Sequence, residues 1–108
     1  MDLLKKKCVP CEGGAAPFPP STIAIYLPKL KITWSVVDDK KLRWTFIFKD
    51  FREAMKFVEK VAKVAEKEGH HPDIIINYNK VTIELTTHAI GGLSENDFIV
   101  AAKIESIE

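Results

Sequence analysis

At Asp50 the apolar pattern of the chain changes period. Upstream, Leu42, Trp44, Phe46 and Phe48 alternate with Arg43, Thr45, Ile47 and Lys49, the period of two that gives a strand one apolar face. Downstream, Phe51, Ala54, Met55, Val58, Val61, Ala62 and Ala65 recur at helical spacing. Arg52, Glu53, Lys56, Glu59, Lys60, Lys63 and Lys67 take the other side. Asp50 reads as the N-cap, with Glu53 three positions on as in a capping box. Gly69 supplies a residue able to take the left-handed conformation that ends a helix. A one-sided strand running directly into a long amphipathic helix is the beginning of a sheet covered by helices on one face.

The other elements extend that plan. Ile32 to Val37 and Leu42 to Lys49 read as a hairpin connected by Asp38-Asp39-Lys40-Lys41. Ile74 to Tyr78 and Val81 to Thr87 read as a second, pivoting at Asn79-Lys80. In its last strand Val81, Ile83 and Leu85 share one face, and Thr82, Glu84, Thr86 and His88 the other. Ser21 is a candidate N-cap for a first helix, which Pro28 ends or restarts. After Gly91-Gly92, Ser94 is the N-cap of a last helix with Asp97 as its capping-box acid. That helix carries Phe98, Ile99, Val100, Ala101, Ala102, Ile104 and Ile107, apolar on more than one stripe, which suggests a subunit interface. The expected order is α-β-β-α-β-β-α: an α+β domain over residues 21–108, with a four-stranded antiparallel sheet and an irregular arm over 1–20.

With 108 residues, 46% of them hydrophobic, one domain with a modest core is expected, and a small core makes self-association a natural supplement. Sixteen Lys plus Arg against fifteen Asp plus Glu leave a formal charge of +1. Apart from Lys5-Lys6-Lys7, read as a solvated arm, the basic residues are scattered, which argues against a nucleic-acid surface. No apolar run approaches the roughly 18 residues of a membrane span, and no cleavable signal pattern is seen, so a cytoplasmic location is expected. Cys8 and Cys11 form a single C-V-P-C in a Gly- and Pro-rich stretch. One pair is short of a zinc ligand set and lacks the strand-to-helix setting of a redox motif, so two ordinary thiols are expected.

All three histidines lie between positions 70 and 88. His70 and His71 stand at a helix-to-strand corner stiffened by Pro72, and His88 ends the strand that the second hairpin brings back to that corner. Imidazole, with an unperturbed pKa of about 6.5, can donate or accept a proton at physiological pH, so three in one place suit acid-base chemistry.

The run E-K-E-G-H-H-P from Glu66 to Pro72, Tyr78-Asn79-Lys80-Val81, Thr87-His88, Gly92-Leu93-Ser94 and Asp97 resembles the signature of the pterin-4a-carbinolamine dehydratases. The likeness reaches upstream through Trp34 and the F-x-F-K-D-F run to about Ser21. It implies dehydration of a 4a-hydroxytetrahydropterin, the product of an aromatic amino acid hydroxylase, to quinonoid dihydropterin and water, as in tetrahydrobiopterin recycling. It implies no metal or other cofactor, and a homodimer or homotetramer. His70, His71 and His88 match the family's active-site histidines. Because C–O cleavage needs a proton delivered to the leaving hydroxyl and N5 must lose one, His70 and His88 are expected to act as general acid and base, and His71 to bind and orient the pterin. Glu66 and Asp97 match acidic positions that could fix a histidine tautomer, although Asp97 could be only a helix cap and Glu66 only a solvated helix residue. Trp34 matches a tryptophan near the family's site, although a strand tryptophan is more often core.

Better-known members carry aromatic residues where this chain has Asp73, Ile74 and Ile75, an acid where it has Gly69, and polar or thiol residues where it has Ala89-Ile90. These departures bear on the lining of the pocket and on which pterin it prefers, including a reduced pterin of molybdenum-cofactor metabolism. Other readings of the same residues are a non-catalytic protein that binds a helical segment of a transcription factor, and a three-histidine zinc hydrolase. The latter lacks an obvious set of supporting carboxylates.

Overall fold

The computed structural model describes residues 3–9 and 16–107. Its regular elements are α1 (Pro20–Tyr26), β1 (Ser35–Val37), β2 (Lys41–Ile47), α2 (Phe51–Glu68), β3 (Asp73–Asn77), β4 (Lys80–Leu85) and α3 (Glu95–Glu105). Short 3-10 turns occur at Leu3–Lys5, Leu27–Lys29 and His88–Ile90. The expected α+β order holds, and the four strands form one antiparallel sheet in the order β1-β2-β4-β3.

Register decides which face is buried. Leu42 lies opposite Leu85, Trp44 opposite Ile83, Phe46 opposite Val81, and Ile74 opposite Ile83 from the other side. Directly opposed residues share a face, so one surface of the sheet is apolar throughout. Leu42, Val81, Ile83 and Leu85 on it have no solvent exposure. Onto this face α2 sets Ala54, Phe57, Val61 and Ala65. Phe57 stacks at 4.7 Å from Phe46 and 4.9 Å from Phe48. Phe51 and Ala62, assigned to the apolar stripe on spacing, are instead exposed. The opposite face carries the Thr45–Thr82 hydroxyl pair and Glu84, which Arg43 and Lys41 clasp.

The caps of α2 are as read: Asp50 accepts the amide of Glu53 at 2.9 Å, and Gly69 is left-handed with φ of 65°. Elsewhere the structure corrects the expectations. Ser21 is not an N-cap, because α1 starts one residue earlier at Pro20, where proline's missing N–H is no loss, and Pro19 caps it. Strand β1 is only three residues long because the amides of Lys31 and Ile32 donate to the Glu105 carboxylate rather than to a strand. The second hairpin turns at Tyr78-Asn79, one residue before the expected pivot. Asn79 is locked against the end of β2, where its side-chain amide donates to the Phe48 carbonyl and its own carbonyl accepts the Phe48 amide.

Helix α3 needs no second subunit to bury its stripes. Phe98, Ile99, Val100, Ala101, Ala102 and Ile104 are all buried within this chain. Phe18 and Tyr26 stack on Phe98, and Leu3, at 4% exposure, joins the same core. The described part of the arm is therefore docked rather than solvated: Lys6 pairs with Glu95 at 3.1 Å, while Lys5 and Lys7 stay in water. Cys11 lies outside the described residues, as does the pairing question raised by C-V-P-C.

Candidate active site

The end of α2 places the first histidine. With Gly69 left-handed, the amide of His70 turns back to the Ala65 carbonyl at 3.2 Å, and the imidazole is directed toward the start of α3. There its Nε2 lies 2.6 Å from Oδ1 of Asp97. The imidazole is 13% exposed and the carboxylate not at all. The other oxygen of Asp97 accepts the Thr87 hydroxyl at 2.8 Å and the Ser94 amide at 3.0 Å. Asp97 thus closes the N-terminus of α3 with one oxygen and places the other within hydrogen-bond distance of an imidazole.

Thr87 is fixed by a bridge across a tight loop. Its amide donates to the Gly92 carbonyl at 2.8 Å, and the intervening residues form a 3-10 turn closed by left-handed Gly91. His88 opens that turn and is exposed. His71 faces solvent as well, its Nε2 2.6 Å from Oε2 of Glu66 one turn back on α2.

The three histidines, Glu66, Thr86 and Thr87 line one open cleft of about 630 Å³, within the range of small-molecule sites. Trp34 does not line it. That indole is 3% exposed, packs edge-on against Phe46 and donates to Glu105 at 2.9 Å, so it is a core residue that ties β1 to the end of α3. Among the described residues, no group of three or more His, Cys, Asp or Glu side chains is arranged to hold a metal ion. The geometry of a three-histidine zinc site is therefore not formed. Among the described residues, too, no helix is long and apolar enough to cross a membrane.

Asn96 and the Cys8-Val9 backbone carried no signal in the sequence, and Thr87 and Glu68 stood in its motifs without an assigned role. Glu68 is buried at the last turn of α2, where its carboxylate accepts the Cys8 amide at 2.9 Å and the Lys103 ammonium at 2.7 Å. Burial alone would raise its carboxyl, but these two donors outweigh it and hold the group below the usual glutamate range. Its position on the helix gives no sign of this, since both partners are distant in sequence.

Chemically, a carboxylate that accepts Nε2–H fixes which nitrogen of His70 carries the proton, leaving Nδ1 as the basic one. The site thus offers one part-buried, oriented imidazole, two exposed ones and a cavity large enough for a bicyclic ring.

A family model described as Pterin 4 alpha carbinolamine dehydratase matches residues 16–107. Proteins of Alkaliphilus metalliredigens and Nitrosomonas eutropha, both provisionally named pterin-4-alpha-carbinolamine dehydratase, are 44% and 47% identical to this chain. The matches span 96% and 98% of this chain and 94% and 93% of those proteins. A crystal structure from Brucella melitensis, described as a transcriptional coactivator/pterin dehydratase, superposes with a TM-score of 0.77 at 34% identity. It covers 83% of this chain and 96% of its own.

Proposed function

Because this chain belongs to the pterin-4a-carbinolamine dehydratase family, we propose that it eliminates water from a 4a-hydroxytetrahydropterin, using His70, His71 and His88. The observation that carries the reading is the His70–Asp97 hydrogen bond on the wall of a cleft shared with the other two histidines.

The reaction asks for two proton transfers. The N5–H proton must go to a base, so that the N5 electron pair can form the C4a–N5 double bond. The C4a–O bond breaks as this forms, and the departing hydroxyl takes a proton from an acid and leaves as water. His70 suits the base. Asp97 accepts from Nε2, the basic Nδ1 is free to take the proton, and the buried carboxylate stabilises the imidazolium that results. His88, exposed at the start of its turn, suits the acid, because it can be reprotonated from water after each cycle. His71, oriented by Glu66, suits binding of the polar edge of the ring.

We assign the substrate to the pterin released by an aromatic amino acid hydroxylase, as in tetrahydrobiopterin recycling, with catalysis by histidines alone. The test is dehydration of 4a-hydroxytetrahydrobiopterin, generated in situ, by wild type, His70→Ala and His88→Ala. Acceleration by wild type that both variants lose supports the reading. Acceleration retained in both removes the assigned roles. No acceleration above the spontaneous rate would leave the partner-binding role suggested by the description of the Brucella relative.

A further inference from the structure

The N-terminal segment reaches the cleft and is fastened there. Leu3 is in the core, and Lys6 pairs with Glu95. The Cys8 amide donates to the buried Glu68. At Val9 the anchoring is bidentate: the amide donates to Oδ1 of Asn96 at 3.1 Å, and Nδ2 of Asn96 donates to the Val9 carbonyl at 2.6 Å. Asn96 is only 5% exposed, whereas Val9 is 65% exposed. An amide that both accepts from and donates to one residue's backbone acts as a strand partner would, fixing the main chain whatever side chain it bears. The result is an apolar side chain held at a set position and left in water.

Cys8, Val9 and Asn96 line the same cleft as the three histidines. The family model's match begins at residue 16, so Cys8 and Val9 come from outside the region it describes. We propose that the docked segment is one wall of the pterin cleft, with Val9 and Cys8 packing on the bicyclic ring and Asn96 as the positioning residue that holds them. This rests on the reading of the cleft as a pterin site. A flat heterocycle laid against Val9 would cover apolar surface that the free protein exposes, so the wall contributes to binding and not to proton transfer.

Two variants of the full chain test it. Val9→Gly removes the wall's side chain and leaves the anchor. Asn96→Asp keeps the shape but sets a carboxylate oxygen against the Val9 carbonyl and breaks the clamp. Equilibrium binding of 7,8-dihydropterin is measured by calorimetry, alongside kcat and KM for the 4a-hydroxy substrate. Both variants are expected to weaken binding at least about fivefold, with the loss in turnover carried by KM rather than kcat. Circular dichroism establishes that each is folded, and Val9→Gly, altering an exposed side chain, keeps the test open if Asn96→Asp is not. A wild type that binds the pterin while Val9→Gly binds it within about twofold overturns the wall alone. A wild type that neither binds nor turns over a pterin overturns the reading of the cleft and the wall with it.

Discussion

His70 is tied at 2.6 Å to Oδ1 of Asp97, a carboxylate with no exposure to solvent. Because Oδ2 is already occupied by the Ser94 amide and the Thr87 hydroxyl, Asp97 has one oxygen left and one orientation in which to offer it. The rigidity of a helix start is thereby passed to the His70 imidazole.

Asp97→Asn separates the two roles. An amide in the same orientation still accepts from Thr87 and Ser94 through its oxygen, but presents N–H to His70. The imidazole must then accept at Nε2 and carry its proton on Nδ1, the wrong tautomer for a base. We expect kcat to fall by about a hundredfold or more while stability drops by only about 1–2 kcal/mol. Nitrogen-15 NMR of the histidines should show the tautomer exchanged. Unchanged kcat with an exchanged tautomer would remove His70 from the mechanism.

Acid should loosen the docked segment. Three partnered glutamates hold their carboxyls below the ordinary value of 4.5. Burial opposes the shift at Glu68 and Glu84 and is outweighed by Lys103 and Cys8 at the first and by Arg43 and Lys41 at the second. At Glu95 the leading cause is the Tyr26 hydroxyl, with Lys6 adding to it. A carboxyl with a depressed folded value adds stability that is present above its unfolded value and is lost as pH falls through the folded one. Urea midpoints should therefore hold at neutral pH and decline below about pH 4.5. Glu68→Gln should be less stable at pH 7 and show a shallower decline, with faster exchange of the Cys8 amide. An equal slope in that variant would mean Glu68 does not contribute to the acid response.

At Gly92 the constraint is space. A Cβ there would lie 2.7 Å from Cβ of Pro17, closer than such atoms approach, beside the hydrogen bond from the Phe18 amide to the Leu93 carbonyl. Gly92→Ala should cost about 1–3 kcal/mol and, by displacing the carbonyl that holds Thr87, reduce turnover as well. Adding Pro17→Gly should restore part of the stability, a coupling that a double-mutant cycle measures. Strict additivity would mean the loop yields elsewhere.

What could be read from the sequence was local, or joined elements by a short turn. The caps of α2 at Asp50 and Gly69 are set by a few neighbouring residues, and the return of His88 to the His70-His71 corner follows from one hairpin. What escaped reading depended on single contacts across long separations. Glu105 is unremarkable by its place in the chain, yet it takes the amides of Lys31 and Ile32 and the indole of Trp34, shortening β1 and drawing Trp34 away from the cleft. The double apolar stripe of α3 was legible, but not its cover. Hydropathy does not distinguish a second subunit from the chain's own Leu3, Phe18 and Tyr26.

His71 and Glu66 are 61% and 78% exposed, so their 2.6 Å contact has water as a competitor at both ends. An ion pair in that setting contributes about 0–1 kcal/mol. Glu66→Gln should therefore leave stability within about 0.5 kcal/mol of wild type and change KM by less than about threefold. His71→Ala removes the group itself. If it binds the ring rather than moving protons, KM should rise about tenfold and kcat fall less, the reverse of the pattern expected for His70→Ala. A kcat loss in His71→Ala as large as that in His70→Ala would transfer the proton-moving role to the exposed histidine, and make Asp97 chiefly the support of the fold.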